Sequence, residues 1–217
     1  MFPIENIRKP GEGFWLGDWL QDVVTKSLRR TDGVTAADRE IANQWRAKYP
    51  GGAESNLAPE VWERTGADAV VQASVQPVLG LVDVRLRVQS PGGDLLPEQS
   101  RAVRFEMTHD TPANVAGRVL ALVGQALNVK SPAAAAQPDS WQAIETAYTL
   151  FATPLATGDP QARPVRVQAL KPLAEATALR GRVYEEMARL TLEQAMLVER
   201  DEVQKRSLLE ALRWVDA

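Results

Sequence analysis

The side chains able to do chemistry are few and far apart. The 217 residues hold one histidine, His109, and no cysteine. A general base needs a partner and a pocket, yet His109 sits in the turn Thr108-His109-Asp110 ahead of a helix, where a solvated imidazole is the expectation. One histidine and no thiolate leave no ligand pair for a transition metal, and thiol chemistry is absent. No serine stands in a recognisable Ser-His-acid order. Gly11-Glu12-Gly13 precedes a helix, where backbone amides can cradle a phosphate. Glu12 and Asp18 bring negative charge there and no Lys-Ser/Thr follows, so phosphate binding is not expected. Asp38-Arg39-Glu40 and Glu185-Glu186 contain nearby acids, but adjacent residues on a helix do not face each other, and these read as solvated faces.

Two sets remain as candidate partner-binding residues. The first is aromatic: Trp15 and Trp19, an i, i+4 pair, with Trp141 and Tyr148 far along the chain. The sequence places all four near the junction of two parts of the chain. Packing is the favoured role for the tryptophans, and burial of all four would end the idea that they touch a ligand. The second set is basic: Arg85 and Arg87, with Arg101 and Arg104, on the exposed side of a hairpin. They either meet an acidic partner or pair across strands with Glu98 and Glu106, and cross-strand pairing is favoured. No catalytic residue, metal or cofactor is assigned.

The elements that must position these residues are clearer. Phe14 to Leu28 is the organising helix, with Leu16, Leu20, Val23, Val24 and Leu28 drawing one apolar stripe. Phe2-Pro3-Ile4-Glu5-Asn6-Ile7 before it is a short strand. Arg29 to Gly33 ends the helix, and residues 34–37 are read as another short strand. A helix follows over residues 38–48, with Ile41, Ala42 and Trp45 on one side, broken at Pro50-Gly51-Gly52. Residues 59–64 form a further helical turn or two, ended by Gly66. Three strands follow, at about 68–76, 81–89 and 101–107. In the second, Val82, Val84, Leu86 and Val88 alternate with Asp83, Arg85 and Arg87, the pattern of a sheet with one buried and one wet face. Thr111-Pro112 opens a helix with Val115, Val119, Leu122, Val123 and Leu127 inward.

Composition sets outer limits. Hydrophobic residues make up 45% and charged residues 24%, enough for a sizeable core. The net charge of −3 excludes a broad nucleic-acid footprint. No run approaches the roughly 18 apolar residues of a membrane span. Charges at Glu5, Arg8 and Lys9 with no apolar stretch behind them do not make a signal peptide. The Pro- and Ala-rich residues 131–138 read as a connector between an α+β domain, 1–130, and an all-helical region, 139–217.

The first part resembles the amino-terminal domain of TolB and its relatives in bacterial envelope and signalling proteins. Phe2-Pro3-Ile4-Glu5-Asn6-Ile7 is similar to that family's first strand, Trp15-Leu16-Gly17-Asp18-Trp19-Leu20 to the start of its first helix, and Gly66-Ala67-Asp68 through Val75 to its central strand, with Ala73 in place of the usual Gly. The resemblance covers residues 2–128. Such first strands carry several apolar residues before the Pro, where this chain has Met1 and Phe2. The resemblance therefore implies a natural protein that extends upstream, periplasmic if so and otherwise cytoplasmic. The tail resembles tetratricopeptide repeats. Trp141, Ile144 and Tyr148 fit the first helix, with Glu145 where a small residue is usual. Ala169, Leu173 and Ala176 fit the second, and Pro172 is expected to start or kink it. Faces led by Val183, Met187 and Leu190 and by Leu208, Leu212 and Val215 complete the tail.

The expected fold is α+β: a mixed sheet with helices on one face, ordered strand-helix-strand-helix-strand-strand-strand-helix, followed by all-α helical hairpins. The resemblances imply a non-catalytic protein-interaction module, a scaffold in envelope assembly or signalling, that takes a protein or peptide segment at the sheet edge or helical groove. The alternatives are an enzyme or nucleotide-binding domain of unrecognised type, marked by a deep pocket gathering Asp, Glu, Arg and His109, and self-association through the tail.

Overall fold

A computed structural model describes residues 5–6, 14–37, 41–42, 44, 59–78, 80–97, 101–130, 140–155, 159, 161–176, 180–197 and 209–211. The chain divides into two compact units, Met1–Ala136 and Gln137–Ala217.

The first unit is built on a mixed sheet of five strands: β1 (Glu5–Asn6), β2 (Val70–Val78), β3 (Leu81–Ser90), β4 (Gly93–Asp94) and β5 (Ala102–Phe105). Strand β1 runs parallel to β2, setting Glu5 opposite Ser74 and Asn6 opposite Val75. The long β2–β3 hairpin is antiparallel, and β4 and β5 both pair with β3. Helix α1 (Phe14–Arg29) packs on β2; helix α3 (Pro112–Leu127) packs on β3, β5 and α1, so the two helices form one layer over the sheet. A short helix, α2 (Pro59–Thr65), precedes β2.

Three expectations change. Residues 34–37 form no strand. The sheet positions beside β2 are held by β1 and β3, and four residues without a ladder do not make a stable strand. The organising helix is buried beyond its apolar stripe: Trp15, Leu16, Trp19, Leu20, Val23, Val24 and Leu28 are inside, but so are Gln21, Asp22, Thr25 and Ser27. The second sheet face is wet only in part. Arg85, Ala102 and Arg104 are exposed, whereas Gln72, Ser74, Asp83 and Gln89 are buried. Strand β2 lies inside the sheet, with Arg87 directly opposite Gln72 and Arg85 opposite Ser74. Long arginine stems cover the short side chains beside them.

Helix α3 begins and ends on side-chain and backbone chemistry readable in the sequence. The Thr111 hydroxyl accepts the Asn114 amide at 3.3 Å, and Pro112 takes the first helical position. Asn128 closes the helix at φ 52°, with the Val129 amide donating to the Gly124 carbonyl. Its inward residues are Val115, Ala116, Val119, Leu120 and Val123; Leu122 and Leu127 are half-buried.

The second unit contains α4 (Trp141–Ala152), α5 (Ala162–Ala176) and α6 (Arg180–Leu197). Ser140 caps α4 by accepting the Ala143 amide. Trp141, Ile144, Ala147 and Tyr148 are its buried face, and Tyr148 meets Phe151 edge-on at 5.2 Å. Pro172 does not start α5, which begins at Ala162 and carries the proline inside. Helices α5 and α6 pack together around Leu170, Ala174, Val183, Met187 and Leu190, tied by Arg163 to Glu193 at 3.2 Å. Residues 131–138, Leu208, Leu212 and Val215 lie outside the described residues. No helix among the described residues is long and apolar enough to cross a membrane.

Candidate partner-binding cleft

A cleft in the first unit arises where two helices stop. The end of α1 is closed by the Thr31 amide and hydroxyl, which donate to the carbonyls of Leu28 and Ser27. Gly33 then turns the chain at φ +77° into residues 34–37. The end of α2 is closed by the Gly66 amide on the Trp62 carbonyl at 3.0 Å, with Gly66 at φ +60°. Residues 67–69 lead from there into β2. Both stops use a left-handed residue after the helix, a conformation that glycine adopts without a Cβ penalty.

These two runs, with Leu28 at the end of α1 and Leu127 and Val129 at the end of α3, line a cleft of about 470 Å³. Its base is apolar, with Leu28, Val70 and Val71 buried, and its walls are small: Gly33, Ala36, Ala37, Gly66, Ala67 and Ala69. The backbone amides of Thr35, Ala36, Ala37, Asp68 and Ala69 donate no hydrogen bond within the described part of the chain. Asp68, exposed, is the single ionisable side chain among the described lining residues. Such a recess offers apolar contact and main-chain donors, and no second described lining residue could share a proton with Asp68.

The four aromatic candidates are all inside: Trp19 is 0% exposed, Tyr148 2%, Trp15 7% and Trp141 8%. Their rings are used in packing and present no face to a ligand. Phe14 to Leu28 thus organises the unit as core.

The arginines pair within the sheet. Arg87 grips Asp94 through Nε at 2.7 Å and Nη2 at 3.1 Å, and Arg101 Nη2 joins it at 2.8 Å. Arg85 Nε lies 3.2 Å from one Asp83 carboxylate oxygen and Arg104 Nε 3.5 Å from the other. Arg87 is largely covered, while the Arg85 side chain is half exposed. The acids are therefore Asp83 and Asp94. Register explains the choice, because Asp83 stands opposite Arg104 and Asp94 opposite Gln89, two residues along β3 from Arg87. Glu106 faces His109 instead, at 3.4 Å, and Glu98 lies outside the described residues. The Arg87 hydrogen bonds, helped by Gln89 and by the Arg101 charge, hold the Asp94 carboxyl below the usual aspartate range against a smaller opposing effect of burial.

The other sequence candidates stay apart. The His109 side chain is 74% exposed on a surface turn. Glu185 is exposed beside Arg182, whereas Glu186 is buried and held by Arg189, whose own pKa that hydrogen bond raises. Gly11-Glu12-Gly13 and residues 38–40 lie outside the described residues. Among the described residues no cluster of three or more His, Asp and Glu could hold a metal ion. The signal that could have found the cleft was present as Gly33, in the turn after α1, and Gly66, directly after α2. What the sequence hid was that the two runs they launch face one another. No protein-family model matches the chain, and no curated protein matches it.

Proposed function

We propose that this chain is a non-catalytic protein-interaction module, resembling the TolB amino-terminal domain with tetratricopeptide-like helices behind it, from a bacterial envelope-assembly or signalling protein. It takes an extended partner segment in the cleft between residues 33–37 and 65–71. The observation that carries the reading is the pair of backbone runs, whose amides donate no hydrogen bond among the described residues, lining a recess of small and apolar side chains. A strand-like segment supplies carbonyls to such amides and side chains to such a recess. The outer edge of β5 is less suited: the Arg118 guanidinium covers the Arg104 carbonyl at 2.7 Å and the Asp110 carboxylate takes the Glu106 amide at 3.1 Å. An enzyme would bring several titratable groups into one pocket, whereas Asp68 is the one titratable group among the described lining residues and His109 sits on an exposed turn.

The test is selection of random peptides on the full chain, followed by titration of the selected peptides against Ala36→Trp and Ala69→Trp, which fill the cleft. Circular dichroism confirms that each variant keeps its fold. Loss of binding in both supports the reading. Selected peptides that bind both folded variants as they bind the parent overturn it.

A further inference from the structure

Resting on the reading of the cleft as a segment-binding site, we infer that its partner is an extended segment carrying one bulky aliphatic or aromatic anchor beside a lysine or arginine. The anchor follows from shape. A recess of about 470 Å³ with alanine and glycine walls over Leu28, Val70 and Val71 has room for a large apolar side chain and apolar surface for it to cover. The basic residue follows from charge. Asp68 is exposed at the cleft, and none of the described lining residues is positive. The end of α3 adds partial negative charge, because its last turn contains no basic residue. Among the described residues, Arg29 at the end of α1 donates from Nε to the Ala36 carbonyl at 3.4 Å beside the cleft. Lys130, Asp32, Glu63 and Arg64 are exposed outside the lining. An acidic segment would meet Asp68 and the helix end with like charge, so the site selects against it as well as for a cation.

The probes are capped peptides of alternating threonine and valine with a central leucine, flanked by lysine, glutamine or glutamate and titrated against the full chain by fluorescence anisotropy at low salt. The lysine peptide is expected to bind about fivefold more tightly than the glutamine peptide, the effect of one exposed ion pair, and the glutamate peptide more weakly still. Asp68→Asn removes that order and Asp68→Lys inverts it. Replacing the central leucine by glycine lowers affinity at least about tenfold. Equal binding of the three peptides, still blocked by Ala69→Trp, overturns the charge selection and leaves the cleft as a segment site. If Ala69→Trp blocks none of them and none of the peptides selected at random, both readings fall.

Discussion

Removing the charge of Asp94 tests how the sheet's outer corner is held. Its carboxylate receives Arg87, Gln89 and Arg101, and Arg101 also donates to the Leu96 carbonyl from Nε and Nη2 at 3.0 and 2.9 Å. Asp94 thus fastens the two-residue strand β4 to β3 and keeps Leu96 inside. In Asp94→Asn one carbonyl acceptor remains and an amide replaces the other oxygen in front of a guanidinium. A fully exposed ion pair contributes less than about 1 kcal/mol, and hydrogen bonds to charged groups about 1.5–3 kcal/mol when sheltered. The Asp94 side chain is 24% exposed and that of Arg87 12%, between these limits. The expected loss is about 2 kcal/mol, or about 4–8 °C in Tm for a chain of this size. The sign with pH is fixed by the depressed carboxyl. The native state binds fewer protons at Asp94 than the unfolded state, so the stabilisation is complete above the ordinary aspartate range and disappears as pH falls through the folded value. Urea unfolding followed by circular dichroism at about pH 7 and in acid below the ordinary aspartate range, about pH 3, should show the parent ahead of the variant in the first case and the gap narrowed in the second. Equal midpoints at neutral pH, or a gap that survives unchanged in acid, would refute the argument.

Gly66→Ala should lower stability by about 1 kcal/mol through its left-handed backbone alone, because a Cβ there meets no atom within 4 Å; a larger loss in urea titration would show a clash the structure does not contain. Thr111→Ala should lower it by about 1 kcal/mol by leaving the Asn114 amide at the start of α3 without its acceptor, and Thr111→Ser should restore most of that. Trp19→Ala empties a site of 0% exposure under the whole first unit and should destabilise it by about 3–5 kcal/mol; a variant that kept its urea midpoint and lost only peptide binding would show Trp19 to be a contact residue after all.

How much of this was legible in the sequence depends on what each signal measures. Alternation in Val82 to Val88 located β3 because side chains on a strand change face at every residue. Thr111-Pro112 located the start of α3 because capping is local chemistry. The stripe on α1 reported one buried side, and no periodicity could report the other, since Gln21, Asp22 and Thr25 look the same whether a helix faces water or protein. The wet face failed for the same reason. Gln72 and Ser74 are polar and buried in a strand flanked by β1 and β3, with Arg87 and Arg85 opposite them in register, and register is a long-range fact. The aromatic residues were identifiable as important and ambiguous as to role. Burial, which only the fold supplies, decides that they pack.

The cleft joins both kinds of information, and its chemistry sets the strength of binding to expect. The amides of Thr35, Ala36, Ala37, Asp68 and Ala69 belong to residues that are exposed or half-buried, and an amide that water reaches is inexpensive to leave without a protein partner. A bound segment exchanges those water contacts for its own carbonyls, at about 0.5–1.5 kcal/mol net for each hydrogen bond. A strand directs only every second residue toward one neighbour, so two or three of the five amides can be used by one segment. A buried anchor adds about 1.5–3 kcal/mol, and one exposed ion pair less than about 1. Ordering the segment opposes all of these. Before that cost the favourable contributions sum to about 3–8 kcal/mol, so a segment bound as proposed should have a dissociation constant no tighter than about micromolar, with fast release. Calorimetric titration of the lysine-flanked peptide checks this directly. Nanomolar affinity from so short a segment would mean that contacts beyond the cleft dominate, and that the two backbone runs are not what holds the partner.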